Sequence, residues 1–144
     1  INEAIGTYLF SKTMPLIITD RGGEFKHPDA LECGIDNVLR TNIYYCDPMA
    51  SWQKPHCEKN HEYIRKICPK TISTFDRLTQ DDVNLMMSHI NSSCRESLGG
   101  LTPFALAKLM LPKELLDFFD LKEIPADEVI LTPALLKGKI EINA

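Results

Sequence analysis

Asp20 and Glu58 are the residues of this 144-residue chain whose placement points to chemistry. Asp20 ends "LIITD", a mostly apolar run that meets an acid and then Arg21, Gly22 and Gly23. Glu58 follows 38 positions later, near the start of a helical pattern. A turn is the simplest reading of Asp20 alone, because aspartate is a favoured turn residue. The other reading is a metal ligand, since α/β folds place ligands at the C-terminal ends of strands. Two carboxylates meeting there would repel, raising the pKa of one, unless a divalent cation lay between them. Magnesium suits such a place: it is hard, prefers oxygen, and keeps waters that a phosphate can replace.

The elements that must position these two acids can be read from pattern. Residues 2–12 read as a helix, with Ala4, Ile5, Tyr8 and Leu9 on one face. "MPLIIT" (14–19) and "TNIYYC" (41–46) read as strands by apolar, β-branched and aromatic content. They are expected to be neighbouring and parallel. The unalternating first run implies burial on both faces. Gly22 and Gly23 allow a tight turn with positive φ or a close backbone approach. "DRGGEFKHPDALECGI" (20–35) is mostly loop, with a helical turn from Pro28. A proline-bounded loop, 47–55, leads to a helix over "HCEKNHEYIRKIC" that Pro69 stops. A helix over about 80–92 is capped by Thr79 with Asp82, and buries Val83, Leu85, Met86, His89 and Ile90. Thr102-Pro103 and Thr132-Pro133 each pair a cap with proline at the first helical position. Pro112 opens a helix through "KELLDFF", and "SLGGLTP" is a turn. The composition shifts near residue 112, which divides the chain into 1–112 and a helical tail, 113–144.

Composition narrows the classes. Apolar residues make up 44% and charged residues 25%, an ordinary globular balance. The formal charge of −4 means that nucleic-acid binding needs a local patch, metal ions or another domain. No apolar run approaches the ~20 residues that span a bilayer, and Asn2 and Glu3 do not suit a signal peptide. Cys33, Cys46, Cys57, Cys68 and Cys94 are odd in number and irregularly spaced, against a disulfide framework and in favour of a reducing compartment. The first residue is not Met, so the chain is expected to be a piece of a longer protein. His56, Cys57, His61 and Cys68 fit no standard zinc finger, having no paired Cys-x-x-Cys knuckle.

Four stretches, in order, resemble a known family: "TDRGGEF" (19–25), "NIYYCDPMASWQKPHCEKNHEYIRK" (42–66), "HINSSCRESLGGLTPFALA" (89–107) and "EIPADEVILTPALLKGK" (123–139). The chain resembles the catalytic core of the DDE transposases and retroviral integrases, above all bacterial insertion-sequence transposases. The resemblance implies an α/β, ribonuclease H-like fold, incomplete at its N-terminal side and extended by the helical tail. Asp20 would be the second carboxylate of the family's triad and Glu58 the third. Arg21 stands where the family often has Asn, and the loop 47–55 with Trp52 and Gln53 would be the mobile active-site loop. The first triad aspartate has no counterpart here, since Glu3, on a predicted helix, is the only acid before Asp20.

The implied activity is DNA transposition: metal-dependent phosphodiester cleavage and strand transfer at insertion-sequence ends. Two Mg2+ or Mn2+ ions, roughly 3.5–4 Å apart, would serve the complete site. The chain alone is then expected to be inactive and, with an incomplete sheet, to self-associate. The implied setting is the bacterial cytoplasm, at the nucleoid, with DNA ends and target DNA as partners and no membrane. Lys54, Lys59, Arg65, Lys66 and Lys70 make 52–70 locally basic, a candidate surface for DNA phosphates. Lys54, Lys59, Asn60 and Arg65 are the candidate contacts, and Trp52 a candidate stacking platform. A solvated helix face is the plainer reading of Arg65 and Lys66, and Arg95 has either an acid or DNA as its partner. The alternative function is a non-catalytic module, derived from such a core, that binds DNA or a protein partner.

Overall fold

The structure, a computed structural model, describes residues 2–69 and 75–138. The chain is mixed α/β, with six α-helices and a two-stranded parallel sheet among the described residues. It forms two compact units, Ile1–Glu58 and Lys59–Ala144. None of the described helices is long and apolar enough to cross a membrane.

The first unit opens with α1 (Asn2–Thr13), the expected helix, broken at Gly6 by φ 71 and ψ 163. Its apolar face is not the one expected. Phe10 is buried, Ile5 and Leu9 are half-buried, and Tyr8 is exposed; the side chain of Ala4 lies outside the described ones. Arg40 lies over the buried Phe10 ring, 4.6 Å from the centroid. The Arg40 Nε also donates to the Leu31 carbonyl at 2.9 Å.

Strands β1 (Leu16–Thr19) and β2 (Asn42–Tyr45) pair in parallel, with Leu16 opposite Asn42 and Thr19 opposite Tyr45. The expected adjacency and direction hold. Asn42 N donates to Pro15 O and Cys46 N to Thr19 O, so the Ile43 N–H points to the outer side of β2. There the Glu32 carboxylate accepts it at 2.8 Å. Glu32 ends α2 (Pro28–Glu32), the helical turn expected from Pro28. The turn after α2 holds Gly34, where a Cβ would meet Asp36 Oδ1 at 2.5 Å and Thr7 Oγ1 at 2.7 Å.

Burial on both faces of β1 is not observed. Side chains alternate across a sheet: Thr19 is buried, whereas Leu16 is 50% and Ile18 52% exposed. Tyr44, in register with Ile18, is 61% exposed on the same face. An apolar run reports only that its residues tolerate burial. Within this unit, an open groove of about 410 Å3 lies over Leu16, Ile18 and Tyr44 instead of a covering helix.

Helix α3 (Pro55–Ile67) starts in the first unit and continues into the second. It ends two residues before Pro69, as expected. The second unit is built on α4 (Gln80–Asn91), whose Thr79–Asp82 capping box forms in full. Ile67, Cys68, Met86, Ile90 and Leu136 make one apolar cluster, with Tyr63, Ile64 and Leu78 packed against it. Ile67 and Ile90 are almost wholly buried, each contributing about 1.5–3 kcal/mol relative to an exposed side chain. Met86, His89 and Ile90 are inward as expected, joined by Ser88, while Val83 is half-buried and Leu85 is exposed.

Ser88 is inward, where α4 supports a strap, residues 121–131, that contains the 3-10 turn Ala126–Glu128. Lys122 N donates to Ser88 Oγ at 3.0 Å, Ile124 N to Ser92 Oγ at 2.9 Å, and Ile130 N to His89 Nδ1 at 3.1 Å. Helices α5 (Pro103–Met110) and α6 (Lys113–Phe119) start where Pro103 and Pro112 predict. The Thr102 hydroxyl caps α5 through Ala105 N. Thr132 makes no such bond, and Pro133–Leu136 is a 3-10 turn, too short to reward a cap.

Candidate active site

Asp20 follows β1 directly, at the C-terminal end of the parallel pair. Its Oδ1 accepts the Gly22 N–H at 3.0 Å, and its Oδ2 receives the Lys54 ammonium at 2.9 Å. Gly22 stands at φ −58, and Gly23 is not among the glycines with positive φ. Of the two uses open to the glycine pair, positive φ is not taken. The side chain of Asp20 does the turning, by closing on the amide two residues ahead. Both turn chemistry and an ion contact are thus present at the same carboxylate.

The loops after the two strands are tied together at this end. The Tyr45 hydroxyl donates to the Phe25 carbonyl, joining β2 to the loop that follows β1. The Gln53 carboxamide closes the second loop on itself: its Oε1 accepts from Asp47 N at 2.9 Å, and its Nε2 donates to Asp47 Oδ2 at 3.0 Å. This clasp presents Trp52, 74% exposed, so the indole is not a packing anchor of this unit. Lys54 stands just past the clasp. Its carbonyl accepts from Cys57 N at 3.1 Å and from Glu58 N at 3.4 Å, the first amides of α3.

Glu58 lies in the first turn of α3, as expected, where the helix dipole favours a negative charge. It is exposed, and among the described residues no hydrogen bond or ion pair engages its carboxylate. The structure therefore places both acids in the first unit, and joins them through Lys54 rather than through each other. Among the described residues no group of three or more His, Cys, Asp or Glu forms a metal centre. Cys57 is exposed and Cys68 is buried.

The chemistry of the two acids suits a hard cation, although among the described residues nothing joins their carboxylates to each other. Asp20 and Glu58 offer only carboxylate oxygens, which suit Mg2+ or Mn2+. Asp20 Oδ2 already receives a positive group, the lysine ammonium. That hydrogen bond, then the Gly22 amide, then the lysine charge hold the Asp20 carboxyl below its ordinary value. Reciprocally, the Asp20 hydrogen bond raises the Lys54 ammonium above its ordinary value.

The other candidate DNA contacts belong to the second unit. Lys59 pairs with Glu62 at 2.6 Å, and the carboxylate raises the ammonium's pKa while the lysine lowers that of Glu62. Asn60 and Arg65 are exposed on α3, and Lys66 stands over the Tyr63 ring at 5.0 Å. Lys70 lies outside the described residues. Arg95 is buried, stacks 3.7 Å from the Tyr63 centroid, and donates from Nη2 to Ile90 O at the end of α4. No pattern in the sequence singled out the Lys54–Asp20 pair, the Gln53 clasp or the Tyr45 tie. Each joins residues outside any shared helix or strand.

No family model, curated protein or solved structure matches the chain.

Proposed function

We propose that this chain carries two of the three carboxylates of a DDE-type transposase on part of a ribonuclease H-like fold. Its reaction would be metal-dependent phosphodiester cleavage and strand transfer at insertion-sequence ends. One observation carries the reading. Asp20 sits at the C-terminal end of a strand paired in parallel with the strand that leads, through a loop, to the helix turn bearing Glu58. That order and direction are what the resemblance of "TDRGGEF" and its companion stretches requires.

Mg2+ or Mn2+ would supply activation of the attacking oxygen and stabilisation of the leaving one. Asp20 and Glu58 would hold the ions through carboxylate oxygens. Lys54, Lys59 and Arg65 would meet DNA phosphates, with Asn60 as a neutral hydrogen-bonding partner. The exposed indole of Trp52 offers a face on which a base can stack.

The test uses a protein that carries all three carboxylates. Asp20→Asn and Glu58→Gln are each expected to reduce strand cleavage to background in a DNA-nicking assay. Binding to the ends should persist, because phosphate contacts dominate affinity. Lys59→Ala should instead weaken end binding and lower its salt slope by about one. Near-normal cleavage by Asp20→Asn would return Asp20 to a turn residue and remove the reading.

A further inference from the structure

Among the described ion pairs, that of Lys54 has the least exposed lysine. Its side chain is 20% exposed, against 61% for Lys59 and 81% for Lys113, which make ion pairs of comparable length within one helix. Lys54 instead spans two segments. Its backbone carbonyl receives the first amides of α3, including that of Glu58, while its ammonium reaches Asp20 across 34 residues of sequence. Gly22 N fixes the other Asp20 oxygen, so the carboxylate presents Oδ2 in one direction, toward the lysine. One residue therefore links the strand end that carries one acid to the helix turn that carries the other.

We propose that Lys54 is an exchangeable counter-ion: its ammonium neutralises Asp20 until a divalent cation takes that carboxylate, and it is then released to bind a DNA phosphate. This rests on the proposed metal-binding role of Asp20. A divalent cation and an ammonium on the same carboxylate repel each other, so the two occupants compete. A lysine suits the exchange, because a compact charge on a flexible four-carbon stem can swing while its backbone stays fixed. The backbone of Lys54 is held by the start of α3, which keeps the freed ammonium close to both acids. Phosphate is the anion it would meet, as a point-charge contact. Cation loading and DNA binding would then be coupled through one side chain.

The experiment titrates Mn2+ into the 144-residue chain and follows paramagnetic broadening of the amide signals of residues 20–22. Lys54→Met is expected to bind Mn2+ about two- to fivefold more tightly than the wild type, the range set by the strength of an exposed ion pair. Lys54→Arg, which restores the competing cation, should return the affinity to the wild-type value. Asp20→Asn should abolish the broadening. In parallel, Mn2+ should increase the affinity of the wild-type chain for a short DNA duplex more than that of Lys54→Met. Equal Mn2+ affinity in wild type and Lys54→Met, with Asp20→Asn still abolishing it, would overturn the exchange and leave the metal role of Asp20 standing. No Mn2+ effect at Asp20 in any variant would overturn both.

Discussion

The sheet end of the first unit and the α4-centred core of the second are held together by different forces. In the second unit, Ile67, Met86, Ile90 and Leu136 form a continuous apolar cluster. At the sheet end, polar ties do the holding: Tyr45 to Phe25 and Lys54 to Asp20 join the loops, and Gln53 closes the second loop on Asp47. Apolar side chains are present there too, but Leu16, Ile18 and Tyr44 face an open groove. The difference teaches where stability and reactivity reside. Apolar burial is large and indifferent to small shifts in direction, whereas polar ties contribute little each but fix where a carboxylate points.

The largest expected effect tests the stable side. Ile90→Ala should cost about 2–5 kcal/mol, the usual range for emptying a packed site. Ile18→Thr, on the exposed face, should change stability by less than about 0.5 kcal/mol. Urea denaturation of both variants makes the comparison, and equal losses would break it. A smaller effect is expected at the start of α4. Thr79→Ala removes the hydroxyl half of the capping box, leaving the backbone N–H of residue 79 to donate to Asp82, and should cost about 0.5–2 kcal/mol in the same measurement.

A pH titration sharpens the contrast further. Burial pushes the His89 imidazole below its ordinary value of 6.5, with the nearby Glu128 charge opposing the shift. Its neutral form accepts the Ile130 amide at Nδ1, and protonation would set a donor against a donor. A depressed histidine contributes stability that is present above its unfolded pKa and lost as pH falls toward its folded one. The second unit should therefore weaken below about pH 6.5. His89→Asn, which keeps an acceptor near the Nδ1 position but does not titrate, should flatten that part of the melting-temperature profile. The smallest effect is expected at the sheet end, where Asp20→Asn should leave the urea midpoint unchanged, because the ion pair it breaks is solvent-exposed.

What the sequence revealed was local. Strand content placed β1 and β2, and with them the position of Asp20 at a strand end. The Thr79 and Thr102 caps, and the prolines that open α5 and α6, act over three or four residues and were read correctly. The misses are ties across distance or choices between faces. Lys54 was legible as a basic residue beside the site, but not as the partner of Asp20, because nothing in a sequence records which of two charges a flexible side chain will meet. Apolar Leu16 and Ile18 announced a strand without disclosing whether anything covers it. Tyr8 was expected on the buried face, whereas Phe10 is buried, in contact with Arg40, 30 positions beyond it. Glycines 22 and 23 permitted a conformation that the chain does not use there.

The strap along α4 has a bearing on how this protein tolerates change. Three of its ties depend on side chains of α4 and its C-cap, beside the packing of Leu131 and the Lys108–Glu123 pair that the strap's own side chains supply. Lys122, Ile124 and Ile130 each contribute only a backbone N–H, which every amino acid but proline possesses. Ser88, His89 and Ser92 contribute the acceptors, and few side chains can replace them. Sequence drift at the three strap positions is thus nearly silent for these ties, whose acceptors are stored on a helix and its C-cap some 30 to 40 positions earlier.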